Sequence, residues 1–413
     1  MMTLTEKLYY QNPDLFEWET EITEVKQSGN IYEVKLKETA FYPEGGGQPF
    51  DLGTIGNAKV LNVQKIGEED IIHYVDTHPG EGKVFCKIDP ERRIDFTQHH
   101  SGQHLLSAVL FDLFVAPTVS FHLSPDTATV DLAIHGLDEE KLQLAENLVN
   151  QLIYENRKVN IFYIDESELP KYPLRKIPPG HKVYRIVEIE GVEYNACGGT
   201  HVKSLGEIGF MKLLKTEKVK DLTRLYFICG KRLIQDYGLK LSYLQAASIP
   251  LSASYQQLPV LIQKLLDENQ LLSRKYSQLF EEHAKLIAER YVQIQGKPFI
   301  SEIFGSYTMK ELYILASILI NMGVKVVLLA SKVERKIFLA KAENLDFHCG
   351  NLIKDHVKDF SGKGGGDHKK AQAAFSTELE MENFFSFLQN TIRDFLTKNK
   401  GFPSKKVSFI CPI

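Results

Sequence analysis

Two histidines four residues apart, His100 and His104, most constrain how this chain can fold. On a helix such positions lie one turn apart on the same face, so both imidazoles reach one point beside it. The apolar residues that follow (Leu105, Leu106, Val109, Leu110, Leu113 and Phe114) recur at helical spacing and predict that helix, with Thr97 or Asp95 as its cap. Far downstream, Cys197-Gly198-Gly199-Thr200-His201 offers a thiolate and an imidazole on a tight glycine turn. The split set His/His plus Cys/His suits tetrahedral Zn²⁺. If one ion joins them, the helix must fold against the turn. Taken singly, each pair reads equally well as core histidines or a buried thiol beside a turn.

A chain of 413 residues is too long for one ordinary domain and implies two or three. The net charge of -4 argues against a tight, nonspecific polyanion binder, so a nucleic-acid partner requires a local basic face. The cysteines (Cys86, Cys197, Cys229, Cys349 and Cys411) are odd in number and scattered without a disulfide spacing, which fits a reducing compartment. The N-terminus has no signal pattern and no apolar run reaches membrane-spanning length, so a soluble cytoplasmic protein with no membrane partner is expected.

The chain reads as α+β. Residues 1–90 form a β-rich, barrel-like N-terminal part: Ile31 to Leu36 alternates as a half-buried strand, and Val60 to Ile66 and Ile71 to Val75 follow. Residues 91–240 hold the candidate metal residues among paired strands (Val119 to Leu123, Thr129 to Ile134), an amphipathic helix (Asp138 to Glu155), a hairpin about Gly191 that delivers Cys197, and a closing strand pair. Residues 241–297 form a helical linker. Leu258, Ile262, Leu265, Asn269, Leu272, Tyr276, Leu279, His283 and Leu286 alternate in steps of four and three, a heptad seam suited to a homodimer or to packing within the chain. Residues 298–413 form an α/β unit.

Two further stretches carry chemistry. In Thr39-Ala40-Phe41-Tyr42-Pro43-Glu44-Gly45-Gly46-Gly47-Gln48-Pro49, the glycines let backbone N–H groups approach a ligand, while Thr39, Tyr42 and Gln48 supply polar groups for a small substrate. No Gly-Lys-Ser/Thr follows, so this is not a phosphate-binding P-loop. Near the C-terminus, residues 361–373 read as a flexible glycine-rich loop, with Lys363, Lys369 and Lys370 suited to an RNA backbone.

These stretches together resemble a known family. TAFYPEGGGQPFDLG (Thr39 to Gly53), HSGQHLL (His100 to Leu106) and CGGTHV (Cys197 to Val202) are similar to the editing domain of alanyl-tRNA synthetases and to the free-standing AlaX editing proteins. GKGGGDHKKAQA (Gly362 to Ala373) resembles the glycine-rich segment of the DHHA1 domain. The order is shared over nearly the whole chain, and the long AlaX form fits best. The resemblance implies zinc ligands at His100, His104, Cys197 and His201. It also implies a deacylase acting in trans on tRNA(Ala) that carries a wrong amino acid, serine first and glycine second, since the chain begins almost directly at the editing-like region. Thr39 matches the threonine of the family's TxFY motif and is expected to meet the serine hydroxyl. There are departures: Ser101, Gly102 and Gln103 replace the usual centre of HTATH, Phe121 and His122 stand where Gln-Lys is common, and Asp367-His368-Lys369 replaces Arg-Pro-Asp.

In that reading, backbone N–H groups of Gly45, Gly46 and Gly47, with Gln48, serve the reaction, and Thr39, Tyr42 and Gln48 bind the substrate. The tRNA contacts fall to Lys215 and Arg224, with Lys212, Lys218 and Lys220 nearby, and to Lys363, Lys369 and Lys370. The competing expectations are a noncatalytic, zinc-stabilised tRNA-binding protein and a deacylase for a different aminoacyl-tRNA.

Overall fold

The computed structural model describes residues 5–67, 70–295, 298–343 and 345–398. Packing divides the chain into two units, Met1–Pro250 and Leu251–Ile413.

In the first unit, strict alternation drives the N-terminal strands. Lys83–Ile88 buries Val84, Cys86 and Ile88 and exposes the residues between them, as period-2 geometry requires. Strands Glu17–Ser28, Ile31–Leu36, Asp70–Val75, Ala58–Ile66, Gly53–Ile55 and Lys83–Ile88 pair antiparallel in that order, and the last pairs with the first, closing a barrel. Val34, Leu36, Ile55, Val63, Ile71 and Val75 fill it, each stabilising by about 1.5–3 kcal/mol when fully buried.

The barrel leads directly into the histidine helix, Pro90–Phe114. Asp89 caps it by accepting from the N–H groups of Glu91 and Arg92, and Pro90 starts the first turn. The helix therefore begins before the expected caps Asp95 and Thr97: apolar spacing marks only its second half, whereas the Asp-Pro pair marks its true start. Residues 99–110 are all buried, so the helix runs through the interior. It lies on a four-stranded antiparallel sheet ordered Met211–Val219, Leu222–Cys229, Ala128–Leu132, Thr118–Leu123. Gly102 permits the close approach, since a Cβ there would sit 2.9 Å from Met211 Cε. Leu105, Leu106, Leu110, Val130, Leu225 and Phe227 build this core. A separate sheet of Val159–Asp165, Val183–Ile189 and Glu193–Ala196 ends in the expected hairpin, directly before Cys197.

The second unit is a layered α/β fold. Its sheet runs Phe299–Phe304, Val326–Ser331, Lys336–Lys341, Lys370–Ala374, Lys363–Gly366, with only the first pair parallel. Val326–Ser331 is buried on both faces: Val327 and Leu329 meet helix Met309–Asn321, while Val326, Leu328 and Ala330 meet helix Glu378–Lys398. Two expectations change here. The glycine-rich segment expected as a flexible loop is an edge hairpin. A Cβ on Gly364 or Gly366 would lie 2.4 or 2.2 Å from a carbonyl oxygen of the neighbouring strand, so the glycines serve backbone packing. In helix Leu258–Gln295 the buried residues Phe280, Ala284 and Ala288 pack on Met309–Asn321. The expected seam residues Leu265, Leu272, Leu279 and Leu286 remain exposed.

Candidate metal centre

The ligand atoms of His100, His104, Cys197 and His201 all lie within 4.8 Å of one another, on two elements that the sequence separates widely. Nε2 of His100 and Nε2 of His201 stand 3.4 and 3.3 Å from Cys197 Sγ. On the other side of each ring an oxygen meets Nδ1: Gln48 Oε1 at 2.7 Å for His100, Glu193 Oε1 at 3.2 Å for His104, and Ser101 Oγ at 3.3 Å for His201. Gln48 Oε1 and the Glu193 carboxylate can only accept, so they hold the proton of His100 and His104 on Nδ1 and leave Nε2 free to ligate. The thiolate and three outward-anchored imidazoles fit Zn²⁺. The glycine turn is a steric requirement, because a Cβ on Gly199 would lie 2.0 Å from His100 Cε1.

Burial alone would raise the Cys197 thiol, but the three imidazoles, His100 first, outweigh it and hold the group well below its usual range, as the ligating thiolate. Burial lowers His201 to about 3. Burial would also lower His104, yet Cys197 and Glu193 outweigh it and raise the group to about 10. Metal binding therefore displaces a proton. Glu193, itself buried and 3.6 Å from Arg175, is a partner of His104 that the sequence reading missed. Only the strand register four residues before Cys197 signals it.

The glycine-rich turn of the barrel reaches the same place. Gly45 and Gln48 bond each other's backbone at 3.1 and 3.0 Å, which engages the Gly45 N–H. Gly46 and Gly47 take φ of +59° and +83°, and their N–H groups make no hydrogen bond among the described residues. A Cβ on Gly47 would strike Phe121, whose ring packs 5.7 Å from that of His100. Gln48 is wholly buried: its Oε1 accepts from His100 Nδ1 and Thr200 N, and its Nε2 donates to Thr200 Oγ1. The Tyr42 hydroxyl donates to Gly45 O at 3.0 Å, bracing the turn.

Thr39 is buried and has other partners. His73 Nδ1 donates to Val34 O at 3.1 Å, so in the neutral ring Nε2 accepts, and the Thr39 hydroxyl donates to it at 2.9 Å. Burial keeps His73 neutral by lowering it to about 4. Phe41 N donates to Thr39 Oγ1, leaving that oxygen one free lone pair. An ion pair straps the segment to the histidine helix: Arg93 bonds both oxygens of Asp51, Ala40 O and Pro13 O, while Asp51 accepts from Tyr42 N at 2.6 Å.

The expected tRNA-contacting cations divide. Arg224 is held by Asp131 at 2.7 Å, Lys215 by Glu217 at 2.5 Å, Lys212 by Glu146 at 2.7 Å, and Lys369 by Glu343. Lys363 and Lys370 are exposed and make no ion pair among the described residues.

Residues 184–226, which include Cys197 and His201, match the threonyl and alanyl tRNA synthetase second additional domain, and residues 295–394 match the DHHA1 domain. The chain thus carries a synthetase-type second additional domain match over the turn with Cys197 and His201, and a DHHA1 domain match in its second unit. The alanyl-tRNA editing protein AlaX-L of Pyrococcus horikoshii is 30% identical over 411 residues, 95% of this chain and 100% of that protein. Alanyl-tRNA editing protein Aarsd1 of Danio rerio is 35% identical over 279 residues, 66% of this chain and 67% of that one. The alanine–tRNA ligase of Pyrococcus abyssi is 32% identical over 389 residues, and the chain spans 42% of its length. The chain belongs to the alanyl-tRNA editing protein family.

Proposed function

We propose that this protein hydrolyses the ester of mischarged Ser-tRNA(Ala) in trans, with Gly-tRNA(Ala) as a second substrate. The observation that carries the reading is the set of four convergent ligands, His100, His104, Cys197 and His201, beside a glycine turn with two N–H groups that make no hydrogen bond among the described residues. Held by all four residues, Zn²⁺ would position the substrate; with His201 yielding its place or a fifth ligand added, it would also supply a Lewis acid and lower the pKa of bound water to about 7. The N–H groups of Gly46 and Gly47 receive the charge that develops on the ester oxygen. Gln48 and Glu193 orient the ligating rings. The free lone pair of Thr39 accepts the serine hydroxyl proton; alanine offers no such donor and leaves that lone pair unmatched, which favours serine.

The tRNA body is held through Lys363 and Lys370 of the second unit. The exposed Leu265, Leu272, Leu279 and Leu286, at seven-residue spacing on one helix, support a homodimer. Cytoplasmic residence agrees with the free thiols of Cys86, Cys197, Cys229 and Cys349.

The test is release of labelled serine from Ser-tRNA(Ala), beside Ala-tRNA(Ala) and Thr-tRNA(Thr), with and without chelator. Serine release that spares the other two, lost on chelation and restored by Zn²⁺, supports the reading. Threonine release would make it a deacylase of another aminoacyl-tRNA. Bound zinc with no release from any substrate would leave a noncatalytic, zinc-stabilised tRNA-binding protein.

A further inference from the structure

Arg185 lies beside the metal ligands without being one of them. Its Nη1 donates to Cys197 O at 2.6 Å and Gly199 O at 3.1 Å, so it grips the backbone of the ligand turn. Its guanidinium lies over the Tyr10 ring, 4.9 Å from the centroid. The opposite edge is unused: Nε is buried without an acceptor, and Nη2 makes no hydrogen bond among the described residues. Nε and Nη2 together form the edge with which arginine grips a phosphate or carboxylate side-on. Arg93, Arg175, Arg224 and Arg232 of the same unit each hold a carboxylate. Arg185 holds only carbonyls among the described residues. A half-buried cation in that state is completed by an anion from outside. Tyr163, its cross-strand partner, is 55% exposed and presents a ring for stacking a base, a pairing of features typical of single-stranded nucleic acid sites.

We propose that Arg185 binds the phosphodiester immediately 5′ of the terminal adenosine and so positions the aminoacyl ester at the metal centre. This rests on the deacylase reading, and chemistry selects the group. An aminoacyl ester has a cationic amine and a neutral carboxyl, so the nearest anion to the scissile bond is that phosphate. Arg185 is a positioning residue: it meets the substrate one nucleotide away from the reacting atoms.

The experiment compares wild type with Arg185→Gln and Arg185→Lys in the zinc-loaded, full-length protein. Two esters are used, Ser-tRNA(Ala) and 2′(3′)-O-seryl-adenosine, which has no phosphate. Affinity for an uncharged CCA trinucleotide is measured separately, and zinc content is checked in every variant. Losing two charge-assisted hydrogen bonds predicts that Arg185→Gln weakens CCA binding and raises KM for Ser-tRNA(Ala) by about 10-fold or more. The loss on the tRNA ester should exceed that on seryl-adenosine by about the same factor. Arg185→Lys, which keeps the charge but not the fork, should recover part of the affinity. Equal losses on both esters, or unchanged CCA affinity, would overturn the proposal and leave Arg185 as a brace for the turn. If wild type cleaves neither ester while Arg185→Gln still weakens CCA binding, the deacylase reading falls and the phosphate contact stands.

Discussion

Replacing Gln48 with alanine tests how the barrel controls the metal centre. The side-chain oxygen accepts from His100 Nδ1 at 2.7 Å and Thr200 N at 3.1 Å, and the amide nitrogen donates to Thr200 Oγ1 at 2.9 Å. Alanine removes all three bonds from a wholly buried site, leaving two N–H donors unmatched at about 1–3 kcal/mol each. Only the bond to His100 bears on the metal, and loss of such an outer partner lowers metal affinity about 10–100-fold, or roughly 1.4–2.7 kcal/mol. The Gln48→Glu variant keeps the acceptor, and its charge favours the ligating tautomer, so it should hold zinc at least as tightly as wild type. The assay is competition for Zn²⁺ against a chromophoric chelator, run beside serine release. Gln48→Ala with wild-type zinc affinity but lost serine release would refute the orienting role and make Gln48 a substrate contact.

Other expectations follow from the same structure. Arg93→Met leaves Asp51 buried with only the Tyr42 N–H, and breaking a buried pair in this way costs about 3–5 kcal/mol; a loss below about 1 kcal/mol in urea unfolding would contradict the strap. His73 is held neutral in the fold at about 4 against an ordinary 6.5, so stability is complete above pH 6.5 and falls by up to about 3 kcal/mol as acid protonates the unfolded chain first. The stability difference between wild type and His73→Gln should therefore shrink between pH 7 and 4, and a constant difference would exclude His73 as its source. Lys363→Gln and Lys370→Gln should each reduce the salt dependence of tRNA binding by about one contact. Arg224→Gln should leave that slope unchanged, because Asp131 already holds the guanidinium; the reverse ranking would place the RNA on the wrong unit.

Local patterns made much of the fold legible. Alternation exposes strands such as Ile31–Leu36, and turn glycines locate the hairpin before Cys197. The candidate metal residues are legible because few arrangements other than ligation bring these donor types together. The outer partners are not, since Glu193 and Arg185 reach the site only through the register of strands that the sequence does not encode as spacing. The histidine helix misled for a physical reason: its first turns are polar and partly exposed, and the apolar pattern begins only where the helix enters the interior. In helix Leu258–Gln295, the packed face carries Phe280 with the small Ala284 and Ala288, while Leu265, Leu272, Leu279 and Leu286 stay outside. Hydrophobic size alone does not pick out the stripe that packs within the chain.

Because His100 and Cys197 stand 97 residues apart, a shared ion would act as a covalent-like tether on the chain. Closing a loop of about that length removes roughly 4–5 kcal/mol of freedom from the unfolded ensemble. The tether is also gated, since Gln48 must arrive from the barrel, 152 residues before Thr200, to aim His100. Zinc uptake then reports the folding of two segments that share no ligand, and a substitution deep in the barrel can surface as a weaker metal site.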